Sequence, residues 1–173
     1  MVTIWTIGHS NRPLGDFISL LRAQGIELVA DIRRYPVSRR NPHFGSDALR
    51  SALSEAGVVY LAVPALGGRR RPLAGSPNQG LRSAQFRGFA DYMATPEFAA
   101  AVEALLAAAR DKRTAVMCAE ALPWRCHRSL IADALVARGV EVLHILGLDQ
   151  PRPHVLSPAA RVRGGVVSYP TLL

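Results

Sequence analysis

The chain holds two cysteines, one lysine and few aromatic residues, and each shortage excludes something. Two cysteines cannot build the disulfide framework of a small secreted domain. No apolar run approaches the roughly 20 residues that span a bilayer. The opening MVTIWTIGHS has no basic start and no small-residue cleavage site, so it does not read as a signal peptide. The expectation is a cytoplasmic protein with no membrane partner. No internal repeat and no linker divides the sequence, and 173 residues is near the usual size of one domain. A single domain over 1–173 is expected, with its core in 1–147 and an irregular tail in 148–173. At 49% hydrophobic and 20% charged residues the chain is globular rather than disordered.

The missing lysine is replaced by 20 arginines, and their placement is uneven. Between Ile32 and Ala90 ten arginines face only Asp47 and Glu55, so this segment holds the whole net charge of +8. The codon bias of a GC-rich genome accounts for arginine in place of lysine. It does not account for a local excess. Such a patch attracts phosphates, nucleic acid or an acidic partner, or is simply solvated. Aromatics in it are sparse (Tyr35, Phe44, Tyr60, Phe86, Phe89), which gives little support to base stacking.

Hydrophobic patterning predicts strands at Val2–Ile7, Glu27–Ala30, Val58–Val63, Thr114–Met117 and Val140–Leu146. Helical spacing follows the first at Leu14, Phe17, Ile18 and Leu21, and Gly25 closes it. A second helix, capped by Ser46 or Asp47, ends at Gly57. A short one contains Phe86, Phe89 and Met93. A further one opens with Thr95 as cap and Pro96 at its first position. The last runs from Cys126 to Arg138. The stretch after Pro64 is long, unpatterned and rich in glycine and proline, as lids or disordered loops are. Val166–Val167 reads as a short edge strand. Alternating strands and helices predict an α/β fold: three layers, a single open and mostly parallel sheet of about five strands, helices on both faces.

In such a sheet every parallel strand ends on one rim, where ligands bind. Four segments should meet there: His9-Ser10, Asp31 to Arg33, Gly67-Gly68-Arg69, and Cys118 to Glu120. Both cysteines lie between the fourth strand and the last helix. A cysteine near a helix N-terminus and beside arginines has a lowered pKa, because the helix dipole and the cations favour the thiolate. Cys126 fits that description, and Cys118 could instead be buried and inert. Known cysteine loops do not fit. A phosphatase loop needs its arginine one position nearer than Arg125 stands to Cys118. A thioredoxin-type pair needs Cys-x-x-Cys, and seven residues separate these two. The paired short spacing of zinc sites is absent, so no metal and no cofactor are assigned. Candidate catalytic residues are Cys118, Glu120, Cys126 and His9. Candidate substrate-binding residues are Ser10, Asp31, Arg33, Arg69, His127 and Arg128. Asp31 could alternatively hold Arg33 or Arg128 in place, and Arg128 could pair with Glu120. The helix N-terminus at His127-Arg128 reads as an anion site. Glycines before Arg69–Arg71 permit positive φ and a backbone anion nest, a mobile phosphate clamp.

The motifs Thr6-Ile7-Gly8-His9-Ser10, Asp31-Ile32-Arg33 with Pro36 and Ser38, Leu66-Gly67-Gly68, Tyr92-Met93, Cys118-x-Glu120 and Cys126-His127-Arg128 occur in order. With them the chain, from Thr6 to about Leu146, resembles the domain of unknown function 488 family. The resemblance implies a prokaryotic, cytoplasmic α/β protein. It marks His9, Ser10, Asp31, Arg33, Cys118, Glu120, Cys126, His127 and Arg128 as motif positions without assigning roles. Arg69–Arg71 lies outside the matched motifs.

The leading functional expectation is an enzyme with an anion-binding polar site, acting on a phosphate-bearing, nucleotide or nucleic-acid substrate. The alternative is a non-enzymatic nucleic-acid-binding protein that uses the arginine patch. A third reading, a regulatory or scaffold module, has nothing specific in its favour beyond the long loops.

Overall fold

The computed structural model describes residues 1–171, so the last two residues of the expected tail lie outside the described residues. Five parallel strands form the body of one sheet: β1 (Thr3–Gly8), β2 (Leu28–Asp31), β3 (Val59–Ala62), β4 (Thr114–Cys118) and β5 (Glu141–Ile145). A two-residue strand, β6 (Arg152–Pro153), adds antiparallel to β5, giving the order β3-β2-β4-β1-β5-β6. A separate hairpin of β7 (Arg161–Arg163) and β8 (Val166–Ser168) turns at Gly164-Gly165, both with positive φ. Val166–Val167 therefore pairs within this hairpin and not at the edge of the main sheet.

Side chains of successive strand residues point to opposite faces. Ile4, Ala30, Val116, Cys118 and Val142 face one layer, made of α3 (Ala84–Tyr92), α4 (Pro96–Asp111) and α5 (Arg128–Ala137). Trp5, Ile7, Val29, Ala115 and Met117 face the other, made of α1 (Leu14–Ala23) and α2 (Ser46–Glu55). Two apolar clusters sandwich the sheet, which is the three-layer α/β architecture expected from the sequence. Gly25, Gly57 and Gly139 follow α1, α2 and α5 with φ of 64°, 76° and 79°, the left-handed stop that L-residues resist. Thr95 caps α4 by accepting from Phe98 N. The cap of α2 is Gly45; Ser46 is already helical, and no side chain bonds the helix end. The last helix starts at Arg128 rather than Cys126, because Pro123–Arg125 forms a single 3-10 turn ahead of it.

The strand ends that build the rim are tied together beyond the strands themselves. His9 N and Ser10 N donate to Cys118 O and Ala119 O at 2.9 Å, and Ile32 N donates to Met117 O at 3.0 Å. Gly8 is required here: a Cβ at that position would lie 1.8 Å from Glu120 O. The absent side chain lets β1 run against the 118–121 turn.

The long segment after Pro64 is fixed in place. Asp91, on α3, accepts from Leu73 N, Ser76 Oγ and Asn78 Nδ2 at 2.6–2.8 Å. Asn78 in turn accepts from Tyr169 N, and Gly80 N donates to Tyr169 O. One buried carboxylate thus fastens the loop and, through Asn78, the C-terminal tail.

Candidate functional site

A cleft of about 440 Å³ opens at the carboxyl rim of the sheet, within the usual size of ligand pockets. His9, Arg33, Cys118, Glu120, Cys126, His127, Gly68 and Arg69 line it, so four distant segments meet as the alternating pattern implies. Ser10, Asp31 and Arg128 do not line it. Arg34, Tyr35, Val37, Ser38, Gln85, Phe86 and Arg125 also line it. Arg34 and Tyr35 follow Arg33 directly, and Arg125 precedes Cys126, so adjacency to motif residues could have found them. Gln85 and Phe86 carry no such signal; the packing of α3 brings them in.

The two sulfurs form the floor. Cys126 Sγ lies 3.3 Å from Cys118 Sγ, and Arg128 Nη1 donates to Cys118 Sγ at 3.1 Å. The Arg128 side chain is fully buried, and its guanidinium also donates to Glu120 O and Ala121 O at 3.2 Å. Among the described residues it pairs with no carboxylate. A buried cation needs a compensating negative group, and the Cys118 sulfur is the group in contact. The hydrogen bond from Cys126 and the charge of Arg128 draw the Cys118 thiol below its ordinary pKa, against the burial that would raise it. The partner moves the other way: its bond to Cys118, then burial, pushes the Cys126 thiol up. The pair loses its first proton as a unit, with the charge centred on Cys118. Sequence position alone pointed to Cys126 for this role. Arginine 128 overrides it by reaching back over the turn to the strand end.

Arg128 is therefore behind the floor and out of reach of a bound substrate. The N-terminus of α5 is also occupied, since Arg128 N points to Cys126 Sγ at 3.4 Å. It offers no open anion site. His127 Nε2–H donates to Leu66 O at 2.9 Å, which leaves Nδ1 as a lone pair 3.5 Å from Cys126 Sγ. Burial lowers its pKa to about 4, so the ring is neutral at pH 7. Gly68 makes room for it: a Cβ there would lie 2.9 Å from His127 Nδ1. Gly67 performs the same service against the Arg34 backbone, at 2.7 Å. Neither has a positive φ. That conformation falls on Arg69, at 61°, so the glycines serve close approach and not an anion nest.

The opposite wall is a closed ion pair. Asp31 accepts from Arg33 Nε at 2.9 Å and Nη2 at 2.7 Å, from Arg33 N at 3.0 Å, and from Tyr60 OH at 2.6 Å. Burial and this last bond raise the Tyr60 hydroxyl to about 12. Arg33 Nη1 donates to Phe44 O at 2.7 Å and reaches His9 Nε2 at 3.4 Å. Asp31 holds Arg33, which was one of the two readings of that residue. His9 Nδ1–H donates to Ser10 O, its ring stacks on Phe44 at 4.4 Å, and burial lowers its pKa. Ser10 is half-buried outside the cleft and supplies this carbonyl.

The mouth is basic. Arg34, Arg69 and Arg125 are exposed, and Glu120 is the one carboxylate among the lining residues. The guanidinium groups of Arg34 and Arg69 lie 5.7 and 5.6 Å from the Tyr35 ring, which is 58% exposed. Arg70 is withdrawn onto the Tyr92 ring at 3.4 Å and bonds Gly67 O; Arg71 lies outside the lining. Of the run 69–71, only Arg69 faces the cleft. Among the described residues no three histidine, cysteine or carboxylate side chains gather as metal ligands do. No helix among them is long and apolar enough to cross a membrane.

Comparison with curated proteins and with solved structures yields no match. The sequence model for the domain of unknown function DUF488 matches residues 13–135, which begins after the Thr6–Ser10 motif and includes the Asp31–Arg33 and Cys118–Arg128 sides of the cleft. That match spans well over half of the chain, and the protein belongs to the DUF488 family.

Proposed function

We propose that the protein is a cysteine-dependent enzyme acting on an anionic, phosphate-bearing substrate such as a nucleotide or nucleic acid. One observation carries this reading: Cys118 Sγ sits 3.1 Å from the buried Arg128 guanidinium at the floor of a cleft whose mouth holds Arg34, Arg69 and Arg125. A thiolate is the nucleophilic form of cysteine. The three mouth arginines receive the anionic group, and Tyr35 offers a flat face beside it. The Cys118 sulfur attacks an electrophilic atom near the anion, the bond to the leaving group breaks, and that group takes a proton from water in the open cleft. A second water, its proton accepted by Glu120, releases the product and restores the thiolate. His9 and Arg33 form a fixed polar wall.

The test is protection. Cys118 is alkylated with iodoacetamide in the presence of inorganic phosphate, pyrophosphate or nucleoside monophosphates. Millimolar anion should slow alkylation several-fold in the wild type and not in a variant carrying Arg69→Gln and Arg125→Gln. An unchanged rate with every anion would refute the anion site. Cys118→Ser should abolish any turnover found with a protected substrate.

The exposed Tyr35 between two arginines also favours the alternative, a non-enzymatic nucleic-acid-binding surface. It requires binding of single-stranded oligonucleotide that weakens steeply with salt and survives Cys118→Ser.

A further inference from the structure

The two sulfurs are closer to one another than a substrate nucleophile requires. A cysteine that only attacks substrate needs a cation or a base, and Arg128 already supplies the cation. A second thiol at 3.3 Å is a further device. It lies on a different element: Cys118 ends β4, and Cys126 follows the 3-10 turn. The hydrogen-bond pattern gives the two sulfurs unequal roles. Arg128 contacts Cys118 with its guanidinium. Cys126 has the neutral His127 Nδ1 lone pair on its other side at 3.5 Å. Both sulfurs line the cleft, yet Cys118 is 3% exposed and Cys126 9%. Only a compact group reaches them, a small reagent or the reacting atom of a substrate whose bulk stays in the cleft.

We propose that Cys118 and Cys126 are a reversible redox pair, in which the Cys118 sulfur reduces a small hydroperoxide and Cys126 then closes a disulfide onto it. In the first step Cys118 S⁻ attacks the distal peroxide oxygen. The S–O bond forms, the O–O bond breaks, and the departing alkoxide or hydroxide takes a proton from water in the cleft. Cys118 is then a sulfenic acid. In the second step His127 Nδ1 accepts the Cys126 proton and the Cys126 sulfur attacks Cys118. The S–S bond forms, and hydroxide leaves and recovers the proton from His127 as water. Two thiols and one hydroperoxide give one disulfide, one alcohol or water, and one further water. The two electrons come from the sulfur pair, and an external thiol restores them. Gly68 belongs to this arrangement because it leaves space for His127. The closed disulfide removes the nucleophile from the cleft, so oxidation would also switch off a cysteine-dependent activity. The redox step stands without that activity, since it uses only the pair, Arg128 and His127.

The sequence makes the test direct. Trypsin cleaves after Arg113, Arg125 and Arg128, which places Cys118 and Cys126 on separate peptides. The full chain is exposed to hydrogen peroxide, trapped with a maleimide and digested. The wild type should yield the two peptides joined, with both maleimide labels lost together and restored by dithiothreitol. Cys126→Ser should stop at a sulfenic acid on Cys118, captured by a cyclic dione. Cys118→Ser should keep the Cys126 thiol and lose it about tenfold more slowly than the wild type loses its pair. Should Cys126→Ser fail to fold, the joined wild-type peptides and the Cys118→Ser rate decide alone. The proposal is overturned if the wild type keeps both labels at a peroxide dose that oxidises free cysteine, if Cys118→Ser oxidises as fast as the wild type, or if glutathione disulfide acts and peroxide does not. Phosphate protection is a separate readout, so the redox pair and the anion site can fail independently.

Discussion

Asp31→Asn is the substitution whose cost follows most directly from the structure. The Asp31 carboxylate is 1% exposed and accepts four hydrogen bonds, three from Arg33 and one from Tyr60. The asparagine amide keeps one acceptor oxygen and turns a donor toward Arg33. It leaves the Arg33 guanidinium, 8% exposed as a residue, without its counter-charge. Removing one partner of a buried pair costs about 3–5 kcal/mol. For a chain of this length each kcal/mol moves the melting temperature by about 2–4 °C, so Tm should fall by roughly 6–20 °C. Urea denaturation at constant m measures the same loss as a lower midpoint. Asp31→Leu with Arg33→Met removes both charges and should cost less than Asp31→Asn alone, because no buried charge is left unpaired. A drop in Tm below about 3 °C for Asp31→Asn, or a double variant less stable than the single one, would refute the argument that the pair is buried and mutually compensated.

The remaining expectations concern the rim, the tail and pH. Gly68→Ala places a Cβ 2.9 Å from His127 Nδ1. It should cost about 1–3 kcal/mol in urea unfolding and displace the imidazole, seen as a changed His127 ring resonance; an unshifted resonance would contradict the packing. Asp133 anchors the tail by accepting from His154 Nε2, Ser157 N and Tyr169 OH at 2.7–3.0 Å. Asp133→Asn should therefore speed limited proteolysis beyond Pro151 while cleavage within the sheet stays slow, and equal acceleration throughout would count against a tail anchor. Burial lowers His127 to about 4 and His144 to about 3, from 6.5. The unfolded chain then binds more protons than the folded one between those values, so stability should fall as pH drops from about 6.5 toward 3. A flat urea midpoint across that range would show that these histidines are not buried as neutral rings.

Much of the fold was legible because local signals agreed. Apolar runs gave the five parallel strands, and Gly25, Gly57 and Gly139 marked helix ends at which the backbone does turn left-handed. The convergence of His9, Arg33, Gly68 and Cys118 followed from topology alone, since parallel strands share one rim. What stayed hidden depends on single long-range contacts. The segment after Pro64 has the composition of a mobile lid, and one carboxylate, Asp91, binds it down. Periodicity cannot register such a contact. Arg128 lies in a charged motif at a helix start, which suggests an anion contact or a pair with Glu120; its side chain instead turns inward to Cys118. β6 is two residues long and contains a proline, and it exists only because β5 offers an edge. The function of the Gly67-Gly68 pair was misjudged for a related reason. Glycine signals either a special φ or a close neighbour, and only the folded chain reveals Arg34 and His127 against those Cα atoms.

The central claim is that negative charge rests on Cys118, at the floor of an arginine-lined cleft. Iodoacetamide alkylation of the reduced protein across pH 5–10, read on the separate Cys118 and Cys126 tryptic peptides, tests it most directly. Cys118 should react first, with a midpoint below the ordinary thiol value of about 8.5, and Arg128→Gln should raise that midpoint by about 1–3 pH units. If Cys126 reacts first, or if Cys118 titrates at or above the ordinary value, the thiolate is not on Cys118 and the account of the site is wrong.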